Sequence, residues 1–254
     1  MNWKKSIKML VVIMTVLCTS RMVIGQAVAK EEEKMVNSLD VFELESLSSE
    51  RKVAYLTFDD GPSIYTTQLL DVLKAYDIPA IFFVLGNQLK YMPNADELLQ
   101  RIVDDGHFLA LHTMTHDLNA LYRLEKSSTQ FIDEMFELRN EFKVRVGWET
   151  NLCRAPYGRK GHFKAAHYQA VAEAGLYCVD WHIDSRDWEV QTADAIYAQV
   201  VKQLEDYPNQ QEIVILMHEY QRTVDALPRI IELLKAKGFT FAPYVEGKIF
   251  TGLE

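Results

Sequence analysis

From about residue 51 to the C terminus, apolar positions switch repeatedly between strand and helix periods. Residues 52–58 form a short apolar run of strand character. Residues 64–76 follow with Leu69, Val72, Leu73 and Tyr76 at helical spacing, and Ser63 stands where an N-cap belongs. A second buried run, 79–85, carries Ile81, Phe82, Phe83 and Val84. Asn94 can cap a helix bearing Leu98, Leu99, Ile102 and Val103, with Gly106 at its end. Residues 108–111 predict a third strand. Phe131, Ile132, Met135, Phe136 and Leu138 mark a long amphipathic helix, and a short strand leads into Arg154. Helix 163–174 stops at Gly175, and 176–183 reads as one strand. Thr192 can cap a helix with Ile196, Val200 and Leu204; 213–217 is a fully buried strand. Val224, Leu227, Ile231 and Leu234 make a last helix before 239–244.

Strands that are apolar almost throughout are covered on both faces, as parallel strands are. The alternation therefore points to a single α/β domain with a parallel sheet, either a barrel or doubly wound. In a parallel barrel the C-terminal strand ends share one face, where sites are built. Five polar clusters fall at such ends: Asp59 and Asp60; His112 and His116; Arg154; Asp184 and Asp187; and His218. Asp59-Asp60-Gly61 can be a plain turn. It can also be two carboxylates with separate tasks, one binding a metal and one free as a base, because adjacent strand residues point to opposite sides. His112 and His116, at i and i+4, can meet on one side of a helical turn and bind one metal. Asp60 is the candidate third ligand of a two-His-one-carboxylate set with open positions for water and substrate. Alone, His218 is a strand-end histidine with a local partner. Asp184 or Asp187 can orient it, and Trp188 beside them is packing or the wall of a small apolar pocket.

Charge and length add the surroundings. The 254 residues carry a net charge of −9, and 48% are hydrophobic. No basic footprint for nucleic acid appears. Lys4, Lys5 and Lys8 precede an apolar stretch, 9–18, and Ala27-Val28-Ala29 fits a signal-peptidase site, so residues 1–29 read as a signal peptide or an uncleaved N-terminal anchor. Removing the four basic residues of 1–29 from the 27 leaves 23 against 36 acidic, a net −13. Residues 30–50, rich in Glu and Ser, form an acidic spacer, and 51–254 the catalytic domain. The expected location is secreted or cell-surface, with membrane contact only through the leader, and the expected state a monomer. Three cysteines are too few for a disulfide scaffold. With Cys178 six residues before Asp184 on one strand, Cys153 and Cys178 should be free thiols well beyond the roughly 7 Å that a disulfide spans.

In this order the five clusters resemble the polysaccharide deacetylase family, carbohydrate esterase family four, from about Val53 to Phe241. The carrying motifs are Thr57-Phe58-Asp59-Asp60-Gly61, His112-Thr113-Met114-Thr115-His116, Arg154-Ala155-Pro156-Tyr157, Asp184-Ser185-Arg186-Asp187-Trp188 and Leu216-Met217-His218. One small departure is Glu219, where Asp is frequent. The resemblance implies a distorted, incomplete (β/α) barrel of about seven parallel strands. It implies Asp59 as base and Asp60, His112 and His116 as ligands of Zn²⁺ or another first-row divalent ion such as Co²⁺. Arg154 would pair with the base, and the Tyr157 backbone N–H, next to Pro156, would hold the oxyanion. Asp187 would tune His218, the general acid, and Trp188 and Leu216 would line the acetyl pocket. The implied activity is removal of N-acetyl groups from a polysaccharide or oligosaccharide, with peptidoglycan N-acetylglucosamine first. O-acetyl esters, chitooligosaccharides, another amide substrate, or sugar binding without turnover stand as alternatives.

Overall fold

The computed structural model describes residues 52–253; the leader and the spacer lie outside the described residues. Eight parallel strands form one sheet. They are β1 (Lys52–Gly61), β2 (Ala80–Val84), β3 (Phe108–Leu111), β4 (Leu152–Cys153), β5 (Tyr177–Cys178), β6 (Ile183–Asp184), β7 (Glu212–His218) and β8 (Phe239–Phe241). The order is β5-β4-β3-β2-β1-β7-β6, with β8 paired to the start of β1 at Lys52–Ala54. The two outer strands, β5 and β6, are consecutive in the chain but do not pair, so the sheet curves into a half-barrel that is not closed. The helices are α1 (Thr66–Tyr76), α2 (Gly86–Tyr91), α3 (Ala95–Asp104), α4 (Ser127–Val146), α5 (Ala165–Glu173), α6 (Ala193–Leu204) and α7 (Gln221–Ala236). Among the described residues, no helix is long and apolar enough to cross a membrane.

The period of two along each strand divides the core and sets the site. Leu56 and Phe58 of β1, Phe82 of β2, Leu109 and Leu111 of β3 and Ile215 and Met217 of β7 pack in one cluster with Leu69, Leu73, Phe131, Leu227 and Ile231 of the helices. Tyr55, Ile81, Phe83, Ala110 and Val214 point the other way, into a second cluster filled by Tyr244, Phe250 and Leu253 of the C-terminal segment. Continuing the inner alternation upward puts Asp59 two residues beyond Thr57, His112 beyond Ala110, and Leu216 and His218 beyond Val214. Register places Asp59 beside Phe83 on one side and beside His218 on the other. Four functional side chains, Asp59, His112, Leu216 and His218, therefore reach the same mouth because each strand presents its odd or even set inward.

Several expectations change. The run 176–183 is two strands, β5 and β6, separated by residues 179–182. A mostly apolar sequence concealed the break, because Val179 and His182 in the gap are buried as ladder residues are. Consequently Cys178 stands at the upper end of β5 and is the register partner of Cys153 on β4. Both are buried free thiols, but as neighbours, not the well-separated pair expected from counting along one strand. Burial, with Cys178 as hydrogen-bonding neighbour, pushes the Cys153 thiol well up. Thr192 caps α6 by accepting from the Ala195 N–H at 3.2 Å. Ser63 lies before the helix start, where its hydroxyl accepts from the Tyr65 N–H. The short helix α2 and a single wide helical turn at Asn119–Arg123 had no clear sequence signal.

Candidate active site

At the mouth of the half-barrel a cavity of about 370 Å³ is lined by Asp59, Asp60, His112, His116, Ala155, Tyr157, Trp181, Asp184, Trp188, Leu216, His218 and Tyr220. Its backbone is unusual. Among the described residues six non-glycine positions have positive φ, and five of them, Asp60 (68°), Thr113 (67°), His116 (57°), Tyr157 (65°) and Arg186 (53°), belong to the motif turns. Such left-handed residues persist where surrounding contacts over-determine them, and they cluster at functional sites.

The first of these turns brings both adjacent carboxylates to one cavity. The pairing of β1 with β2 slips between Asp59 and Gly61, and Asp60 takes the left-handed conformation at that bulge. The simple strand alternation, which would separate the two side chains, ends there. Asp59 stays on the inner face, 3% exposed. Its Oδ1 accepts from Arg154 Nη1 at 2.8 Å. Arg154 is itself fully buried: Nη1 also donates to the Thr57 hydroxyl, Nε to the Val179 carbonyl and Nη2 to the Asp180 carbonyl, and its guanidinium lies 4.0 Å from the Phe83 ring centre.

His112 and His116 meet in a loop, not on a helical turn. Glu134 of α4, buried at 2% exposure, accepts the N–H groups of Met114 and Thr115 and the Thr115 hydroxyl. It thereby replaces the backbone partners that a helix would have supplied. The two rings lie 5.3 Å apart. His112 Nδ1 donates to the Arg154 carbonyl at 2.9 Å, which leaves the Nε2 lone pair facing Asp60 at 3.4 Å. His116 Nε2 lies 3.5 Å from the same Asp60 Oδ1. Burial lowers the His116 pKa and so favours the neutral, ligating imidazole. Burial opposes ionisation of Asp60, but the facing imidazoles of His112, His116 and His218 outweigh it and hold this carboxyl below its usual range. Asp60 Oδ1 is buried without a hydrogen-bond partner, and one ligand atom from each of the three residues lies within 4.8 Å of the others. An orphaned carboxylate oxygen between two imidazole nitrogens fits a divalent cation.

Across the cavity, Asp187 is fully buried and grips His218 twice. Its Oδ1 accepts from His218 Nδ1 at 2.7 Å and its Oδ2 from the His218 N–H at 2.6 Å. Thr223 and Arg222 of α7 complete the grip, donating to Asp187 Oδ2 and its carbonyl. Burial disfavours the imidazolium, but Asp187, with Asp59 and Asp60 behind it, pushes the His218 pKa up to about 9. Asp184 does not take this role; its oxygens accept from the Arg186 N–H and, at 3.5 Å, the Trp188 indole.

Leu216, Trp188 and Tyr157 line the cavity, the last two about half exposed. Pro156 does not; it is buried beneath the turn, where its carbonyl accepts from the Tyr122 hydroxyl. Trp181, Tyr220 and Ala155 line the cavity without having been singled out, and Thr57, Glu134 and Thr223 support it from behind. Only tertiary contact reveals these three: nothing in spacing distinguishes a buried threonine that orients an arginine from one that fills space.

The profile of the polysaccharide deacetylase family matches residues 47–179. The chain is 39% identical over 193 residues to the putative polysaccharide deacetylase YheN of Bacillus subtilis, covering 75% of this chain and 66% of that protein. It is 37% identical over 204 residues to a peptidoglycan-N-acetylglucosamine deacetylase of Bacillus cereus, covering 79% and 72%. The crystal structure of the polysaccharide deacetylase Bc1974 from Bacillus cereus superposes with a TM-score of 0.71 at 36% identity, over 80% of this chain and 97% of that one.

Two outcomes follow from the geometry. Asp60→Asn should weaken Zn²⁺ binding by more than about 100-fold, since loss of a mere outer partner already costs about 10–100-fold. Asp59→Asn should leave affinity within about tenfold and remove most turnover. Chelator competition separates them, and equal affinities would refute the division of labour. For His218 the sign is fixed by its raised pKa: the imidazolium is present at low pH and lost as pH rises through about 9. Asp187→Asn should pull the alkaline limb of the kcat profile toward the ordinary histidine value near 6.5, costing up to about 30-fold at pH 8. An unmoved limb would show that another group carries it.

Proposed function

Because this chain belongs to the polysaccharide deacetylase family, we propose that it is an exported, metal-dependent hydrolase that removes N-acetyl groups from peptidoglycan N-acetylglucosamine. The observation that carries the reading is one cavity holding three separate devices: a carboxylate clamped by Arg154, an Asp-His-His cluster with an orphaned oxygen, and a histidine raised by Asp187. The named activity of the Bacillus cereus relative supports the substrate. The N-terminal leader supports action at the cell surface.

An acetamide is a poor electrophile, and neutral water is a poor nucleophile. A divalent ion, Zn²⁺ in this reading, held by Asp60, His112 and His116 supplies Lewis acidity and lowers the pKa of water. Asp59 accepts the proton of the attacking water; Arg154 occupies its Oδ1 and thereby fixes its aim. The Tyr157 N–H, placed by the left-handed turn, donates to the acetyl oxygen as charge develops there, an effect worth about 2.7–4 kcal/mol per donor. Leu216 and Trp188 form the apolar wall for the methyl group. His218 donates the proton from Nε2 to the departing amine, while Asp187 holds Nδ1. Base and acid are thus set apart by their surroundings.

Acetate release from purified peptidoglycan, chitooligosaccharides and acetylated xylan tests the reading. Peptidoglycan should give the highest kcat/KM, a chelator should abolish release, and Zn²⁺ or Co²⁺ should restore it. Faster release from xylan esters would make the chain an O-acetyl esterase. No release by a protein that still binds metal would make it a sugar-binding relative.

A further inference from the structure

Directly after His218 lies Glu219, a carboxylate only 5% exposed that no step above employs. Its Oε2 accepts from the Ser63 N–H at 2.8 Å and from the Thr66 hydroxyl in a short contact. Its main-chain carbonyl accepts from the Ser63 hydroxyl at 3.3 Å. The donors belong to the stretch after β1 and to the first residue of α1, more than 150 residues away in sequence. The remaining oxygen, Oε1, packs against Gly61 without a hydrogen bond. A Cβ on Gly61 would come within 2.0 Å of that oxygen. Gly61 is not among the positive-φ residues, so the backbone there does not demand glycine; the space taken by Glu219 does.

We propose that Glu219 is a positioning residue whose buried carboxylate fastens the segment that follows Asp59 and Asp60 of β1 to the end of β7, bearing His218. The turn needs such a fastening. Asp60 sits in the disfavoured left-handed region, and Ser63 and Thr66, though bonded to each other, are tied to the sheet by no strand ladder. Glu219 supplies acceptors for both from the neighbouring strand's end. Base, ligand and acid then keep a fixed mutual placement, and displacements of about 1 Å at such groups can cost about 100-fold in rate. The turnover readout rests on the deacetylase reading above; the metal-affinity readout does not.

The test uses the full chain with Glu219→Ala, Glu219→Gln, Gly61→Ala and the double variant Gly61→Ala/Glu219→Ala. Thermal unfolding is followed for each. Glu219→Ala should lower kcat by at least about tenfold with KM within about twofold, and should weaken Zn²⁺ binding at least about fivefold. Glu219→Gln, whose amide oxygen can accept from the same two donors, should stay within about threefold on each measure. Gly61→Ala should reproduce the alanine phenotype by displacing the carboxylate, and the double variant should be no worse than the poorer single one, since the two act on one contact. Wild-type kcat and Zn²⁺ affinity in Glu219→Ala, equal damage in Glu219→Gln, or additive losses in the double variant would each overturn the proposal. If Glu219→Ala does not fold, Glu219→Gln and Gly61→Ala decide. If the wild type releases no acetate, the deacetylase reading fails, and the Zn²⁺ affinities still decide the role of Glu219.

Discussion

The buried guanidinium of Arg154 is the constraint on which the upper half of the sheet depends. It bridges Thr57 and Asp59 on β1 to the carbonyls of Val179 and Asp180, just beyond β5, while its own backbone follows β4. A fully buried charge is tolerated only when it is paired and its donors are satisfied. Here a carboxylate, a hydroxyl and two carbonyls do so, and Phe83 covers the guanidinium face. Removing either member of the pair would strand the other, at a cost of about 3–5 kcal/mol. The pairing therefore both closes the core beneath the cavity and settles which way Asp59 faces.

Around that cross-link the site divides its charges by support from different elements. Glu134, from α4, shapes the loop of His112 and His116; Asp187, backed by α7, raises His218. Asp60 is left with an oxygen that faces two imidazoles and that no protein hydrogen bond satisfies. The cluster is thus electrostatically incomplete on one side and protonated on the other. That asymmetry suits a reaction in which water must lose a proton near one carboxylate and an amine must gain one near an imidazole.

The strand alternation, the motif residues and their placement on one rim were legible in the sequence, because period-two burial obliges Thr57, Asp59, Leu216 and His218 to face inward together. Three features were not. The break between β5 and β6 was hidden in a mostly apolar, buried run, and with it the adjacency of Cys153 and Cys178. The loop form of the segment 112–116 depends on a glutamate nearly twenty residues on, whose burial no periodicity announces. The common direction of Asp59 and Asp60 depends on a bulge that strand alternation cannot foresee.

In the proposed mechanism Arg154 governs the base and not the metal set, and Arg154→Lys tests this most directly. Lysine keeps one positive charge yet cannot reach four acceptors with a planar fork. With Zn²⁺ affinity and kcat measured on the same preparation, kcat should fall by about 100-fold while affinity stays within a few-fold. Unchanged kcat, or a loss of activity that merely follows loss of metal, would contradict the account.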